Sequence, residues 1–268
     1  MKYNVTIVTV CYNAEAVIEK TIQSVLGQTY DSIEYIIVDG CSTDGTLAII
    51  EKYKDRISKV ISEPDDGIYD AMNKGIHLAT GKWIQFLNAG DTFFSEGTLA
   101  RIFKSDYKAD VIYGDCKVLS SLGTYILLSR PIDTITSGEV NFCHQSAFVR
   151  TILMKERLFD LRYKVCADYA FFYRVWKENH RFQYITEVVS VYDISGGSFS
   201  AGHYIQAKTE ALDILGIKGP QRYTKLTMLY GKNLIRIVLK KIMPSIHFYD
   251  RTKRSLEASP YVKDWSWK

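Results

Sequence analysis

The stretch Glu34-Tyr35-Ile36-Ile37-Val38-Asp39-Gly40-Cys41-Ser42-Thr43-Asp44-Gly45-Thr46 decides how this chain is read. An apolar run that ends in an acid and passes into a Gly/Ser-rich turn is how an α/β sheet brings a carboxylate to the C-terminal edge of a buried strand. Ligands bind at that edge. The plainer alternative is a strand–helix turn in which Asp44 caps the next helix. Asp39 favours the functional reading, because a charge at a strand end needs a partner to offset its desolvation. It could accept an N–H from a nucleobase edge or a ribose hydroxyl. Similar signals recur in Trp83-Ile84-Gln85-Phe86-Leu87-Asn88-Ala89-Gly90-Asp91 and, far downstream, in Cys166-Ala167-Asp168-Tyr169.

Working outward, the first half alternates strand and helix. Val5 to Val10 is short and β-branched, a buried strand. Asn13 is placed to cap a helix from about Ala14 to Leu26, with Val17, Ile18, Ile22, Val25 and Leu26 on one face. Tyr35–Val38, Lys59–Ser62, Trp83–Leu87 and Val111–Tyr113 read as further strands, the last ending in Gly114-Asp115. Thr46–Tyr53, Ile68–Ala79 and Thr98–Phe103 read as helices. Such alternation implies a mostly parallel sheet with right-handed crossovers. After Asp115 it loosens. Thr124–Ser129, Ser146–Val149 and Phe182–Tyr192 read as strands, and Asp168–Asn179 and Tyr204–Leu215 as helices. Beyond Gly219-Pro220 the character changes: Lys225 to Lys241 interleaves unpartnered Lys and Arg with an apolar face, and Pro244 ends the helix.

The 268 residues, 47% apolar and 24% charged, describe an ordinary globule large enough for a real core. A net charge of +4 gives no case for nucleic-acid binding. Five scattered cysteines without a CxxC suggest neither a zinc site nor a disulfide framework, and fit a reducing cytosol. No signal peptide and no membrane span is expected. The turn after the first strand, Cys11 to Glu15, is not GxGxxG, and no GxxxxGK[ST] occurs, which disfavours dinucleotide and P-loop enzymes.

Several residues admit two readings. Asp65 and Asp66 at a helix entry complement the macrodipole. Asp70, Asn73 and Lys74 share a helical face, either as a surface pair or as a face that touches diphosphate or sugar. Asp91 either caps a helix near Thr92 or serves as the single carboxylate of a divalent-cation site whose shell the substrate's phosphates complete. Asp168 either caps its helix or is a general base whose aromatic setting raises its pKa. His144, Gln145 and His203 are candidates for substrate contact.

Five segments, taken together, resemble the bacterial family 2 glycosyltransferases. They are Val8-Thr9-Val10-Cys11-Tyr12-Asn13, Val38 to Thr46, Asp65-Asp66-Gly67-Ile68-Tyr69-Asp70-Ala71-Met72-Asn73-Lys74-Gly75, Leu87 to Asp91, and Ala167-Asp168-Tyr169, and the resemblance spans roughly Lys2 to Leu215. It implies the GT-A fold, an α/β architecture with a Rossmann-like, mostly parallel central sheet flanked by helices. Residues 1–215 would form the catalytic domain, with a nucleotide-sugar half (1–115) and an acceptor half (116–215). Residues 216–268 would be a basic, amphipathic helical appendage. By the resemblance, the donor site draws on Thr9, Tyr12, Asn13, Asp39, Asp66, Asp70, Asn73, Lys74, Asn88, Ala89 and Gly90, with Thr9 and Tyr12 lining the base pocket and Asp39 holding the base. Asp91 would bind Mn²⁺ or Mg²⁺, His203 would lie near the metal, and Asp168 would deprotonate the acceptor in an inverting displacement. Gly196-Gly197-Ser198 resembles the turn that covers the donor. The family's metal motif often reads Asp-x-Asp-Asp; Asn88 and Gly90 replace its first and third positions.

The expected activity is sugar transfer from a nucleotide-sugar, by family habit a UDP-sugar, to a saccharide or lipid-linked saccharide in surface polysaccharide or O-antigen assembly. The alternatives are a non-catalytic sugar-nucleotide binder and another nucleotide-using enzyme such as a nucleotidyltransferase. The expected location is the cytoplasm, with the basic tail on the inner face of an anionic membrane.

Overall fold

The computed structural model describes residues 3–138, 141–195, 202–242, 254 and 256–267. In chain order the elements are β1 (Val5–Cys11), α1 (Ile18–Leu26), β2 (Ile33–Asp39), α2 (Thr46–Glu51), β3 (Lys59–Ser62), α3 (Ile68–Leu78), β4 (Trp83–Phe86), β5 (Thr92–Phe93), α4 (Thr98–Ile102), β6 (Val111–Ser120), β7 (Gly123–Leu127), β8 (Ala147–Arg150), α5 (Thr151–Arg157), α6 (Ala167–Lys177), β9 (Phe182–Asp193), α7 (Tyr204–Ile214), α8 (Gly219–Ile242) and β10 (Val262–Trp267). One sheet runs β10-β7-β6-β8-β4-β1-β2-β3, with β9 beside β6 and β5 beside β9.

The parallel character is concentrated in the N-terminal half, where β1 pairs β2 and β4, and β2 pairs β3, all parallel. Crossover helices α1 to α3 make that possible. In the second half β4–β8, β5–β9, β6–β8, β6–β7 and β10–β7 are antiparallel, and among the described residues only β6–β9 is parallel. The β6–β7 link turns back at once between Ser120 and Gly123, leaving no length for a crossover. Strand β6 runs through Gly114-Asp115 to Ser120 instead of ending there, with register shifts against β9 on either side of Asp115.

Side-chain alternation splits the core between the two faces of the sheet. Val8 and Val10 of β1, with Ile36 and Val38 of β2, pack with Met72 and Ile76 of α3 and Phe171, Phe172 and Val175 of α6. Ile7 and Cys11, with Tyr35 and Ile37, pack with Ile18, Ile22 and Val25 of α1 and Leu99 and Ile102 of α4. Gly75 explains how tightly α3 seats: a Cβ there would lie 2.5 Å from Val8 Cγ1. Any other residue would push the helix off the strand.

Three local expectations change. Asn13 has a left-handed backbone (φ 47°) and caps no helix; α1 begins only at Ile18, without a side-chain cap. Thr92 opens the short strand β5 rather than a helix, so Asp91 is not a cap. The tail does form a long helix, α8, but Val262–Trp267 then returns to the sheet as β10 beside β7. Tyr125 and Trp265 stack across that pairing with ring centroids 4.6 Å apart. The appendage is therefore joined to the sheet and only partly helical.

Candidate active site

Because β4, β1, β2 and β3 are parallel neighbours, the residues that follow them emerge at one sheet edge. Beside that edge lies a cavity of about 330 Å³, walled by Ile68, Tyr69 and Met72 of α3, by Asn88 to Asp91, by Phe142 to Gln145, by Val165 and Asp168, and by Tyr192 and Asp193. The two downstream acids of the sequence reading thus share one enclosed space.

Asp91 is 5% exposed. Its Oδ2 accepts a hydrogen bond from Gln145 Nε2 at 3.1 Å. Burial pushes its carboxyl up to about 6, only partly offset by His144, by the Gln145 amide, by the Asp193 backbone N–H and by Lys20. Its backbone is pinned as well: the Thr21 hydroxyl donates to Asp91 O at 2.7 Å and accepts from Gly90 N–H at 3.0 Å. Gly90 takes a φ of +102°, which a residue with a side chain adopts only under strain. The buried Asn88 Oδ1 has no hydrogen-bond partner. A lone buried acceptor beside an incompletely neutralised carboxylate is the donor chemistry a hard divalent cation uses. Among the described residues no cluster of three or more His, Cys, Asp or Glu side chains could hold an ion alone. Asp91 and the Asn88 carbonyl would fill only part of a six-coordinate cation's shell, leaving positions for the oxygens of a bound diphosphate.

Asp168 lies in the first turn of α6 and does not cap it, Cys166 being the N-cap residue. Its Oδ1 accepts from Tyr69 OH at 3.0 Å and from the Tyr169 amide at 2.8 Å, and its Oδ2 lies 3.4 Å from His144 Nδ1. Burial works to raise this carboxyl, but His144, the Tyr169 amide and the Tyr69 hydroxyl outweigh it and hold it below the usual aspartate range. The expectation of a raised pKa from an aromatic setting therefore fails, chiefly because His144 stands against the carboxylate. Burial and the contact with Asp168 push Tyr69 well above the usual tyrosine range.

His144 and Gln145 are the joint of the site. His144 approaches Asp168 through Nδ1 and the Asn88 amide nitrogen through Nε2 at 3.3 Å, while the adjacent Gln145 holds Asp91. Two consecutive residues thus link the two acids. Tyr69, which sequence reasoning did not single out, completes the arrangement.

The residues around Asp39 behave differently. Asp39 is fully buried, and its oxygens accept from the Ser42 amide at 2.9 Å, from the Ser42 hydroxyl and from the Ser62 hydroxyl at 2.7 Å. The carboxylate is spent on its own turn and on tying that turn to the end of β3. Thr9, expected to line a base pocket, is fully buried in the sheet, donating to Leu87 O at 2.8 Å and meeting Tyr35 OH. Tyr12 is 63% exposed. Gly40 lies against it, and a Cβ on Gly40 would stand 2.4 Å from Asp65 Oδ2 and 3.5 Å from the Tyr12 ring. Asp65 and the Tyr12 ring therefore close in on the Gly40 backbone, where no side chain could stand. Asn13 Oδ1 accepts from the Thr43 amide at 2.8 Å, and Asp44 accepts from the Thr46 and Glu15 amides.

On α3, Asn73 is buried and exchanges two hydrogen bonds with the Phe159 backbone, so it anchors the 158–166 loop and does not face the cavity. Lys74 is paired with Glu63 and Asp70. Asp70 also accepts from the Asp66 amide at 3.1 Å. These contacts shape the β3–α3 loop. His203 is exposed at the start of α7 and is not among the residues walling the cavity. Gly196-Gly197-Ser198 lies outside the described residues.

With this geometry in hand, three comparisons bear on what the chain is. The sequence pattern described as Glycosyl transferase family 2 matches residues 6–175. A PGL/p-HBAD biosynthesis glycosyltransferase of Mycobacterium bovis is 34% identical over 196 residues, covering 69% of this chain and 75% of that one. The Escherichia coli UDP-Glc:alpha-D-GlcNAc-diphosphoundecaprenol beta-1,3-glucosyltransferase WfaP is 27% identical, covering 81% and 89%. Among solved structures, the mannosyltransferase PcManGT of Pyrobaculum calidifontis, in complex with GDP-Man and Mn²⁺, is similar with a TM-score of 0.60. It is 17% identical, with 87% of this chain and 81% of that one covered.

Proposed function

This chain belongs to glycosyl transferase family 2, and we propose that it moves a sugar from a UDP-sugar to a saccharide acceptor carried on a lipid, with inversion at the anomeric carbon. One observation carries the reading: a single cavity is walled by Asp91 and Asp168, and the His144-Gln145 dipeptide touches both.

Asp168 is the base. Held below the usual aspartate range, it is ionised at neutral pH and can accept a proton. The acceptor's hydroxyl proton passes to Asp168 as the hydroxyl oxygen forms its bond to the anomeric carbon. The bond from that carbon to the diphosphate oxygen breaks, and the electron pair leaves with the diphosphate. His144 and Tyr69 fix the carboxylate's orientation before the acceptor arrives, which is work the substrate need not do. Asp91, with the Asn88 carbonyl beside it, would hold a divalent cation together with the donor's diphosphate oxygens. When bound, such a cation offsets the negative charge that develops on the leaving group. Mn²⁺ and Mg²⁺ both suit this oxygen-only donor set. The nucleoside would lie against the exposed Tyr12 ring.

A lipid-linked acceptor is supported by the relative whose name specifies a diphosphoundecaprenol substrate. It is also supported by α8, where exposed Tyr223, Met228 and Tyr230 stand beside exposed Lys225, Arg222 being paired with Asp213. A basic helix with exposed aromatic and thioether side chains suits an anionic bilayer surface. No helix among the described residues is long and apolar enough to cross a membrane.

The test pairs binding with turnover. UDP with Mn²⁺ should raise the melting temperature, since a ligand at 100 times its Kd adds about 2.7 kcal/mol, and chelator should remove the shift. Asp168→Asn should keep that shift and lower transfer roughly 100-fold or more. Undiminished transfer by Asp168→Asn would overturn the assignment of the base.

A further inference from the structure

A second cavity, of about 510 Å³, opens at the far end of α6, between that helix, the 158–163 loop and Ile214 of α7. It is larger than the cavity holding Asp91 and Asp168, and its volume lies within the range of small-molecule sites. Its polar groups fall into two sets. The Arg162 guanidinium is locked onto Asp160 through Nε and Nη2, and Glu178 is held by Arg157 Nε at 2.7 Å. Arg174 and Lys177, one turn apart on α6, have no carboxylate within ion-pair distance among the described residues. Arg174 donates to the carbonyls of Arg157 and Leu158, and Lys177 lies 5.6 Å from the Tyr173 ring centroid. Three cations against two carboxylates leave the cavity lining with one surplus positive charge, while Arg174 also lowers Asp160 and Glu178 and the Tyr163 hydroxyl donates to Asp213 just outside. The cavity also carries the half-buried rings of Tyr163 and Tyr173.

We propose that this cavity binds an acidic sugar unit of the acceptor chain, remote from the hydroxyl that is glycosylated; this rests on the transferase reading given above. A pyranose presents C–H groups on one face and hydroxyls at its rim, so it needs an aromatic face beside fixed polar forks. Tyr163 and Tyr173 supply the aromatic surface, each with a cation already over one face (Arg162 at 5.5 Å and Lys177 at 5.6 Å from the ring centroids), and the locked Arg162–Asp160 pair supplies the fork. Arg174 and Lys177 add the preference for an anion. The position suits an extended acceptor. Asp168 opens α6, and helix geometry puts Arg174 and Lys177 about 9 and 14 Å further along its axis and turned about 120° and 180° away from Asp168, so that only an oligosaccharide passing round the helix beside the 158–165 loop could touch both places. One loop serves both places: Leu158, Asp160, Arg162 and Tyr163 wall the second cavity, and Val165 walls the first. An acceptor held at the far end is thus gripped by the segment that leads into Asp168.

Trp176, whose ring lies 5.9 Å from that of Tyr173, provides a reporter that needs no donor and no turnover. The full chain is titrated with a hyaluronan tetrasaccharide, and in separate arms with chitotetraose and with inorganic phosphate, following fluorescence and heat. The expected result is saturable binding of the acidic tetrasaccharide, about tenfold tighter than either control. The fluorescence change should vanish in Trp176→Phe while the heat remains. Lys177→Glu should weaken binding about tenfold, and Lys177→Gln by less. Equal binding of the neutral tetrasaccharide, phosphate binding as tight as the acidic sugar, indifference to Lys177→Glu, or no heat with any probe overturns the proposal. Failure of the transferase reading would show instead in the UDP and Asp168→Asn measurements, which do not involve this cavity.

Discussion

Asp39 and Asp91 follow parallel strands on either side of β1, in turns that read alike, yet their carboxylates are in opposite states. Asp39 has its acceptor capacity filled by Ser42 and Ser62, fully out of water. Asp91 is nearly as buried but less well served, and burial drives its pKa upward. The first turn uses its acid to hold itself together. The second leaves its acid short of partners in a cavity, where a cation and a diphosphate would supply what is missing. An acid at a strand end is therefore ambiguous until its hydrogen-bond accounts are known.

The sharpest way to separate the two turns is Asp91→Asn. Transfer should fall at least about 100-fold, while the ligand-free protein should gain up to about 3 kcal/mol at pH 7.5, because the cost of burying the charge disappears. An inactive variant with a higher urea midpoint is the expected signature. Asp39→Asn should do the reverse, losing about 2 kcal/mol of stability as charge-assisted bonds are weakened in a buried site. Its urea midpoint should fall with the slope unchanged. If both substitutions shift stability in the same direction, the comparison breaks.

The pH dependence of the Asp91 effect follows from its sign. Its folded pKa, about 6, is raised above the ordinary 3.8. Its contribution to stability is fully present below about pH 4 and is lost as pH rises through 6. The stability difference between wild type and Asp91→Asn should therefore be near zero at pH 4 and open between pH 4 and 7, as urea titrations across that range would reveal. The smallest expected effect is Ser42→Ala, about 1 kcal/mol by the same assay, from the loss of one hydroxyl that Asp39 accepts.

The strands and helices of the first half were legible because each strand is a short β-branched or aromatic run closed by Gly, Asn or Asp, and each helix keeps one apolar face. The inward direction of Thr9 was also legible in principle: it shares strand parity with Ile7 and Cys11, which face the α1 side of the core. What periodicity could not supply is pairing across distance. The contacts of His144 with Asp168 and of Gln145 with Asp91 depend on β8 lying antiparallel to β4 and on where the loop after β7 returns. Neither leaves a local trace. Tyr69 went unremarked because an aromatic in an amphipathic helix is usually core, and most of its ring is; only its hydroxyl reaches Asp168.

The return of Val262–Trp267 to β7 has a consequence for how the molecule is made. Until those residues leave the ribosome, β7 is a naked sheet border, able to recruit a strand from any neighbouring chain. The basic helix α8 emerges before that seal is in place. A nascent chain would thus offer its cationic segment to its surroundings while its sheet is still open beside β7.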